Sequence, residues 1–154
     1  MSQVSKIIIS DTSCLILLSK INELDILKQV GSEIFITPEI KNEFGIELPS
    51  WINIKSPKDK HYQRILEIDL DAGEASAIAL SFEFSHAIVI LDDQKARKIA
   101  EKLKVRYSGS FGLILQAKKT GKIKKIRPLI EKIKQTNFRF NEKLLQSVLE
   151  EAGE

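Results

Sequence analysis

Four acidic positions, Asp11, Glu43, Glu74 and the pair Asp92/Asp93, stand where a strand is expected to end or on the inward side of an expected helix. Carboxylates are rarely buried unless paired or bound to a cation, because an isolated charge is costly to desolvate. Two of them about 4 Å apart, at an effective dielectric of ~20, repel by roughly 4 kcal/mol. If the four converge, some keep their protons or a divalent metal neutralises them. A donor set made only of oxygen favours Mg²⁺ or Mn²⁺ over zinc or copper. Such an ion polarises a phosphodiester and lowers the pKa of water, which points to metal-dependent hydrolysis of nucleic acid.

Each acid also has a plainer role. Asp11 and Asp93 suit helix caps, Glu74 suits a first helical turn, and Glu43 suits the surface of a short helix. Thr12, Ser13 and Ser110 are placed either to orient a carboxylate or a water, or to cap helices. Glu39, Glu47, Asp69 and Asp71 read as solvent-facing or capping acids, with Glu39 a substitute for Glu43. A phosphatase with an aspartyl nucleophile fits poorly, since Ser13 stands two residues after Asp11 where a second aspartate is needed. Cys14, the one cysteine, falls in an apolar helical pattern and reads as core; with only His61 and His86, no zinc-type spacing exists.

The elements that must position these acids alternate. Lys6 to Ser10 is a β-branched run without alternation, as in a strand buried on both faces of a parallel sheet. A helix capped by Thr12 or Ser13 runs through Leu18, and another from Asn22 or Glu23 to Val30 ends at Gly31. Glu33 to Ile36 is a strand, and Thr37-Pro38 opens a helix over Glu39 to Phe44. Trp51 to Lys55 is a short strand or link, and Lys58 to Ile68 a helix. Asp71 caps a helix with Ala75, Ile78, Ala79 and Phe82 on one face. Ala87 to Leu91 is a second buried strand, followed by a helix over Asp93 to Leu103 and a strand over Val105 to Tyr107. Ser110 to Thr120, Ile126 to Ile133 and Asn141 to Glu151 are helices. The pattern predicts an α/β domain with a mostly parallel sheet flanked by helices, in which sites form beyond the carboxyl ends of the strands. Leu15, Leu18, Ile21 and Leu24 recur at helical spacing and read as core before dimer face.

At 154 residues with 43% hydrophobic and 29% charged content, the chain suits one domain spanning residues 1–154 with a real core. Its apolar runs are too short for a bilayer and the N-terminus shows no signal-peptide pattern, so a cytoplasmic protein is expected. The net charge is only +3, yet Lys118, Lys119, Lys122, Lys124, Lys125, Arg127, Lys132 and Lys134 face a single acid, Glu131, in one block. That block suits either a polyanion or a solvated helix surface. No aromatic residue interleaves with its lysines, so no base preference is specified.

The segments IIISDTS (7–13), TPEIKNEF (37–44), DAGEASAIAL (71–80), VILDDQKAR (89–97) and SGSFGLILQAKKTGKI (108–123), with the ending LEEAGE, resemble a PIN domain. They resemble most the PIN-like proteins of prokaryotic toxin–antitoxin pairs. The resemblance implies a three-layer domain in which Asp11, Glu43, Glu74 and Asp93 are the successive metal-binding acids. Asp92 shares or replaces the role of Asp93, and Ser110 stands where these proteins carry a hydroxyl. It implies an Mg²⁺- or Mn²⁺-dependent endoribonuclease, a toxin with an antitoxin partner. In this chain a glutamate, Glu74, replaces the usual aspartate, and Lys95 and Arg97 replace an aromatic beside the last acids. The rival expectation is a non-catalytic domain that binds RNA or a partner protein, or forms a homodimer.

Overall fold

A computed structural model describes residues 6–154. Strand β1 (Ile7–Ser10) lies at the centre of a five-stranded sheet, between β2 (Glu33–Ile36) and β4 (Ala87–Ile90), with β3 (Ile52–Ile54) and β5 (Tyr107–Ser108) at the edges. The order is β3-β2-β1-β4-β5 and every pairing is parallel, so the expected mostly parallel sheet is wholly parallel among the described residues. Helices cover both faces, giving the three-layer α/β arrangement that an all-parallel sheet requires to bury both sides. Because β2 and β4 flank β1 on opposite sides, the chain reverses direction across the sheet between β1 and β4. This is the switch point at which the following loops diverge.

The nine helices among the described residues follow in chain order. Helices α1 (Thr12–Lys20) and α2 (Ile26–Val30) join β1 to β2, and α3 (Pro38–Phe44) joins β2 to β3. The long crossover from β3 to β4 carries α4 (Lys60–Leu66) and α5 (Ala72–Ser81), and α6 (Gln94–Lys102) joins β4 to β5. Helices α7 (Ser110–Lys119), α8 (Arg127–Lys134) and α9 (Glu142–Glu151) close the chain. Ile8, Ile34 and Ile88 are paired in register. Ile8 and Ile34 meet Gly31 after α2, and Ile8 and Ile88 line a cleft with Leu113 of α7. The core also takes Leu15, Leu18 and Ile21, the expected core face of the first helix.

Four local readings change. Asp11 caps α1, with Cys14 N–H bonding its carboxylate, in place of Thr12 or Ser13. The second helix is shorter than expected because Asn22 takes a left-handed φ of 58°, which breaks the turn before Ile26. Phe82 ends α5 half-exposed, with its ring edge-on to Tyr62, outside the buried stripe. The last strand is Tyr107–Ser108, since Lys104 adopts φ 60° and the chain turns before it can pair.

Candidate active site

Parallel register brings the two central acids together. Ser10 pairs with Ile90, so Asp11 and Leu91 leave the sheet side by side, and Asp92 follows. Asp11 is 4% exposed. Its Oδ1 accepts from Cys14 N–H at 2.9 Å and its Oδ2 from Asp92 N–H at 3.1 Å. Despite both bonds, burial first and then the Asp92 charge push the Asp11 carboxyl up to about 7, with Glu74 adding to the rise. The same burial, with the Asp11 charge next, drives the Cys14 thiol far above its usual range; it is a core residue, as expected.

Asp92 and Asp93 face different neighbours. Asp92 Oδ1 accepts from Ser110 N–H at 2.8 Å and Oδ2 from Ser110 Oγ at 2.5 Å. Ser110 thus opens α7 by holding an acid, and its expected role as a cap passes to Gly109, which offers no side chain. Asp93 caps α6, its Oδ2 accepting from Ala96 N–H at 3.0 Å. Across the cleft Glu74, half-buried at the start of α5, has its carboxyl raised to about 7 by burial, then by Asp71 and Asp93, with Glu43 also contributing. The four regions therefore share one electrostatic neighbourhood. Asp71 joins it as the cap of α5, its Oδ1 bonded by Glu74 N–H at 2.8 Å.

Glu43 sits on the exposed side of α3, against the expectation of an inward position, and still reaches the site. Thr12 Oγ1 donates to its Oε1 at 2.8 Å, and that oxygen lies over buried Gly73, where any Cβ would overlap it. Two fully buried hydroxyls set this approach: Thr37, the cap of α3, and Ser76 of α5 share a hydrogen bond of 2.6 Å. Nothing in a single sequence marks Ser76 or Gly73, since both are ordinary small residues in a helix. Glu39, the alternative to Glu43, faces α4 instead, accepting from Gln63 Nε2 at 2.5 Å. Ser13 is exposed on α1.

Arg97, which stands where an aromatic was expected beside the last acids, reaches the site. Its Nε donates to Leu91 O at 2.7 Å and its Nη2 lies 3.9 Å from Asp92 Oδ1. Gly109 makes room for it, because a Cβ there would overlap the guanidinium. Among the described residues it is the only cation within ion-pair distance of Asp11, Glu43, Glu74, Asp92 or Asp93. The basic block lies elsewhere. Helix α7 starts at the carboxyl edge and runs back along the sheet, which sets Lys119 roughly 13 Å along the axis from Ser110. Lys118 pairs with Glu154 at 2.8 Å and Arg127 bonds the Glu154 carbonyl, whereas Lys119, Lys122, Lys124 and Lys125 are exposed.

A family model described as PIN domain matches residues 7–154, from the start of β1 through α9. The chain belongs to the PIN domain family. No curated protein matches it. PIN domains are in general nucleases acting on RNA or DNA, typically with divalent metals. In this PIN domain the acids lie beyond the carboxyl ends of β1 and β4, at the switch point. Among the described residues no three Asp, Glu, His or Cys side chains are gathered tightly enough to enclose an ion, and no helix is long and apolar enough to cross a membrane. The donor chemistry nevertheless fits a hard cation: every candidate ligand is a carboxylate, and burial first, then the charge of neighbouring acids, raises two of them to about 7. Mg²⁺ keeps several of its own waters and needs only one or two direct carboxylates.

Proposed function

We propose that this PIN domain is a divalent-metal-dependent endoribonuclease and, by its resemblance to toxin–antitoxin proteins, the toxin of such a pair. The observation that supports this reading is the juxtaposition of Asp11 and Asp92 at the β1/β4 switch point, where burial and then the Asp92 charge push the Asp11 carboxyl up to about 7 and Glu74 adds a smaller rise. Asp11, Glu74 and Asp93 would hold Mg²⁺ or Mn²⁺, with Glu43 completing the set. A bound ion supplies Lewis-acid polarisation of the phosphodiester and acidifies the attacking water. The chain's own part is positional. Backbone N–H groups of Cys14 and Asp92 aim the Asp11 carboxylate, Ser110 fixes Asp92, and Thr12 fixes Glu43. Exposed Lys119, Lys122, Lys124 and Lys125 draw RNA phosphates toward the domain from the far end of α7.

The ends of the cleavage products test this reading. Hydrolysis by water releases one fragment with a phosphate and one with a free hydroxyl. A 2′,3′-cyclic phosphate would instead show attack by the RNA's own 2′-hydroxyl and would remove the need for the carboxylate site. For the toxin role, expression alone should arrest growth, and co-expression of the neighbouring gene should relieve it; unimpeded growth counts against it.

A non-catalytic binding domain is favoured by one observation, the engagement of Asp92 by Ser110 and Arg97 together, which compensates that charge without a metal. It predicts RNA or partner binding with no turnover.

A further inference from the structure

Phe111, at the edge of the carboxylate site, meets Phe138 and Phe140 from a distant part of the chain. Phe111 follows Ser110, the residue that holds Asp92, and its ring packs edge-on against Phe140 with centroids 5.0 Å apart. Phe140 in turn lies nearly parallel to Phe138, 6.1 Å away and tilted by 10°. All three residues are half-buried and pack against the core. Phe138 and Phe140 border a cleft of about 470 Å³ between α8 and α9, whose walls also carry Lys134 and Arg139. Lys20, at the end of α1, stands 5.4 Å over the Phe138 ring.

The cations around this cleft outnumber the acids. Lys20, over the Phe138 ring, and Arg139, in the wall, are exposed cations, while Lys134 is paired with Glu142 of the wall at 4.0 Å and with Glu131 at 3.8 Å. Flat apolar faces bordered by cations are the two components of a single-strand binding platform: bases stack on the rings and phosphates meet the charges. A duplex hides its bases and offers nothing to stack. A protein partner with an apolar helix would be served equally well by the rings, but it gains nothing from the surplus of positive charge.

We propose that Phe111, Phe140 and Phe138, with Arg139 and Lys20, form a base-stacking subsite for single-stranded nucleic acid leading away from the carboxylate site. The inference rests on the nuclease reading of that site and names the form in which its substrate is held. It also places an aromatic platform outside the lysine block, where the sequence shows none.

The test measures binding apart from cleavage. In an Asp11→Asn background, a fluorescein-labelled single-stranded RNA of mixed sequence is titrated with protein and read by anisotropy, with an RNA duplex of equal length as competitor. Phe138→Leu and Phe140→Leu keep apolar volume but remove the flat face. Each is expected to weaken single-strand binding about fivefold or more. Phe138→Trp should restore it, and the duplex should compete poorly. Leu variants that bind like the parent, or a duplex that competes as well as the single strand, would overturn the subsite while leaving the nuclease reading intact. Unchanged RNA affinity with a change in oligomeric state would assign the cleft to a second copy. A parent that binds no single-stranded RNA while the wild-type chain cleaves none would sink both.

Discussion

Asp92 donates its backbone N–H to the Asp11 carboxylate at 3.1 Å while turning its own carboxylate to Ser110. One residue thus anchors its neighbour with the main chain and repels it with the side chain. The repulsion, added to burial, leaves Asp11 poised near neutrality.

That poise has a stability cost in metal-free protein. Unfolded, Asp11 titrates near 3.8; folded, it holds its proton to about 7, so the folded state binds more protons across that window. Its contribution to stability is therefore full below about pH 4 and is lost as pH rises toward 7. Glu74 acts in the same direction. Glu154, held down to about 2 first by Lys118, opposes them only in acid, where its contribution fades below pH 4.5. Thermal melts in EDTA should show the Asp11 and Glu74 loss between pH 4 and 7, and Mg²⁺ should recover most of it at pH 8. A melt insensitive to Mg²⁺ at pH 8 would argue against ion binding here.

Asp11→Asn separates stability from function. It should abolish metal-dependent cleavage, by at least about a hundredfold, yet raise the stability of the metal-free protein at pH 8 by about 1–3 kcal/mol. The gain from removing a buried charge is offset in part by one lost acceptor for a backbone N–H. Denaturant titration in EDTA checks the sign.

Arg97 is a fixed positive charge at a site that must take a cation. Replacing it with glutamine should tighten Mn²⁺ binding several-fold by calorimetry, because like charges no longer compete, whereas Arg97→Lys should change little. Weaker binding in both variants would assign Arg97 to holding the Leu91 loop alone.

Gly73→Ala introduces a methyl group where Glu43 Oε1 lies. The carboxylate must move from the position in which Thr12 holds it. Mn²⁺ affinity and turnover should fall about tenfold with the fold retained by circular dichroism; wild-type turnover would show that Glu43 is dispensable.

The sheet and most helices were legible because apolar runs and caps are local signals: Ile7–Ile9, Thr37-Pro38 and Asn141 each read correctly. The fate of Asp92 against Asp93 was not, since adjacent acids differ only in what the fold places opposite them, Ser110 in one case and the α6 turn in the other. Arg97 is legible as a neighbour of the last acids, but its fit against Gly109 and its bond to the Leu91 carbonyl depend on the sheet bringing those segments alongside it. The lysine block was evident in composition, but its distance from the acids depends on the direction of α7. The aromatic row joins position 111 to 138 and 140, a contact no local pattern encodes.

The most direct test is the rate at which a labelled single-stranded RNA is cut by EDTA-treated protein as Mn²⁺ is added back. Cleavage absent in EDTA, rising saturably with Mn²⁺ and missing in Asp11→Asn is the predicted result. Cutting that persists in EDTA, or proceeds at the wild-type rate in Asp11→Asn, would contradict it.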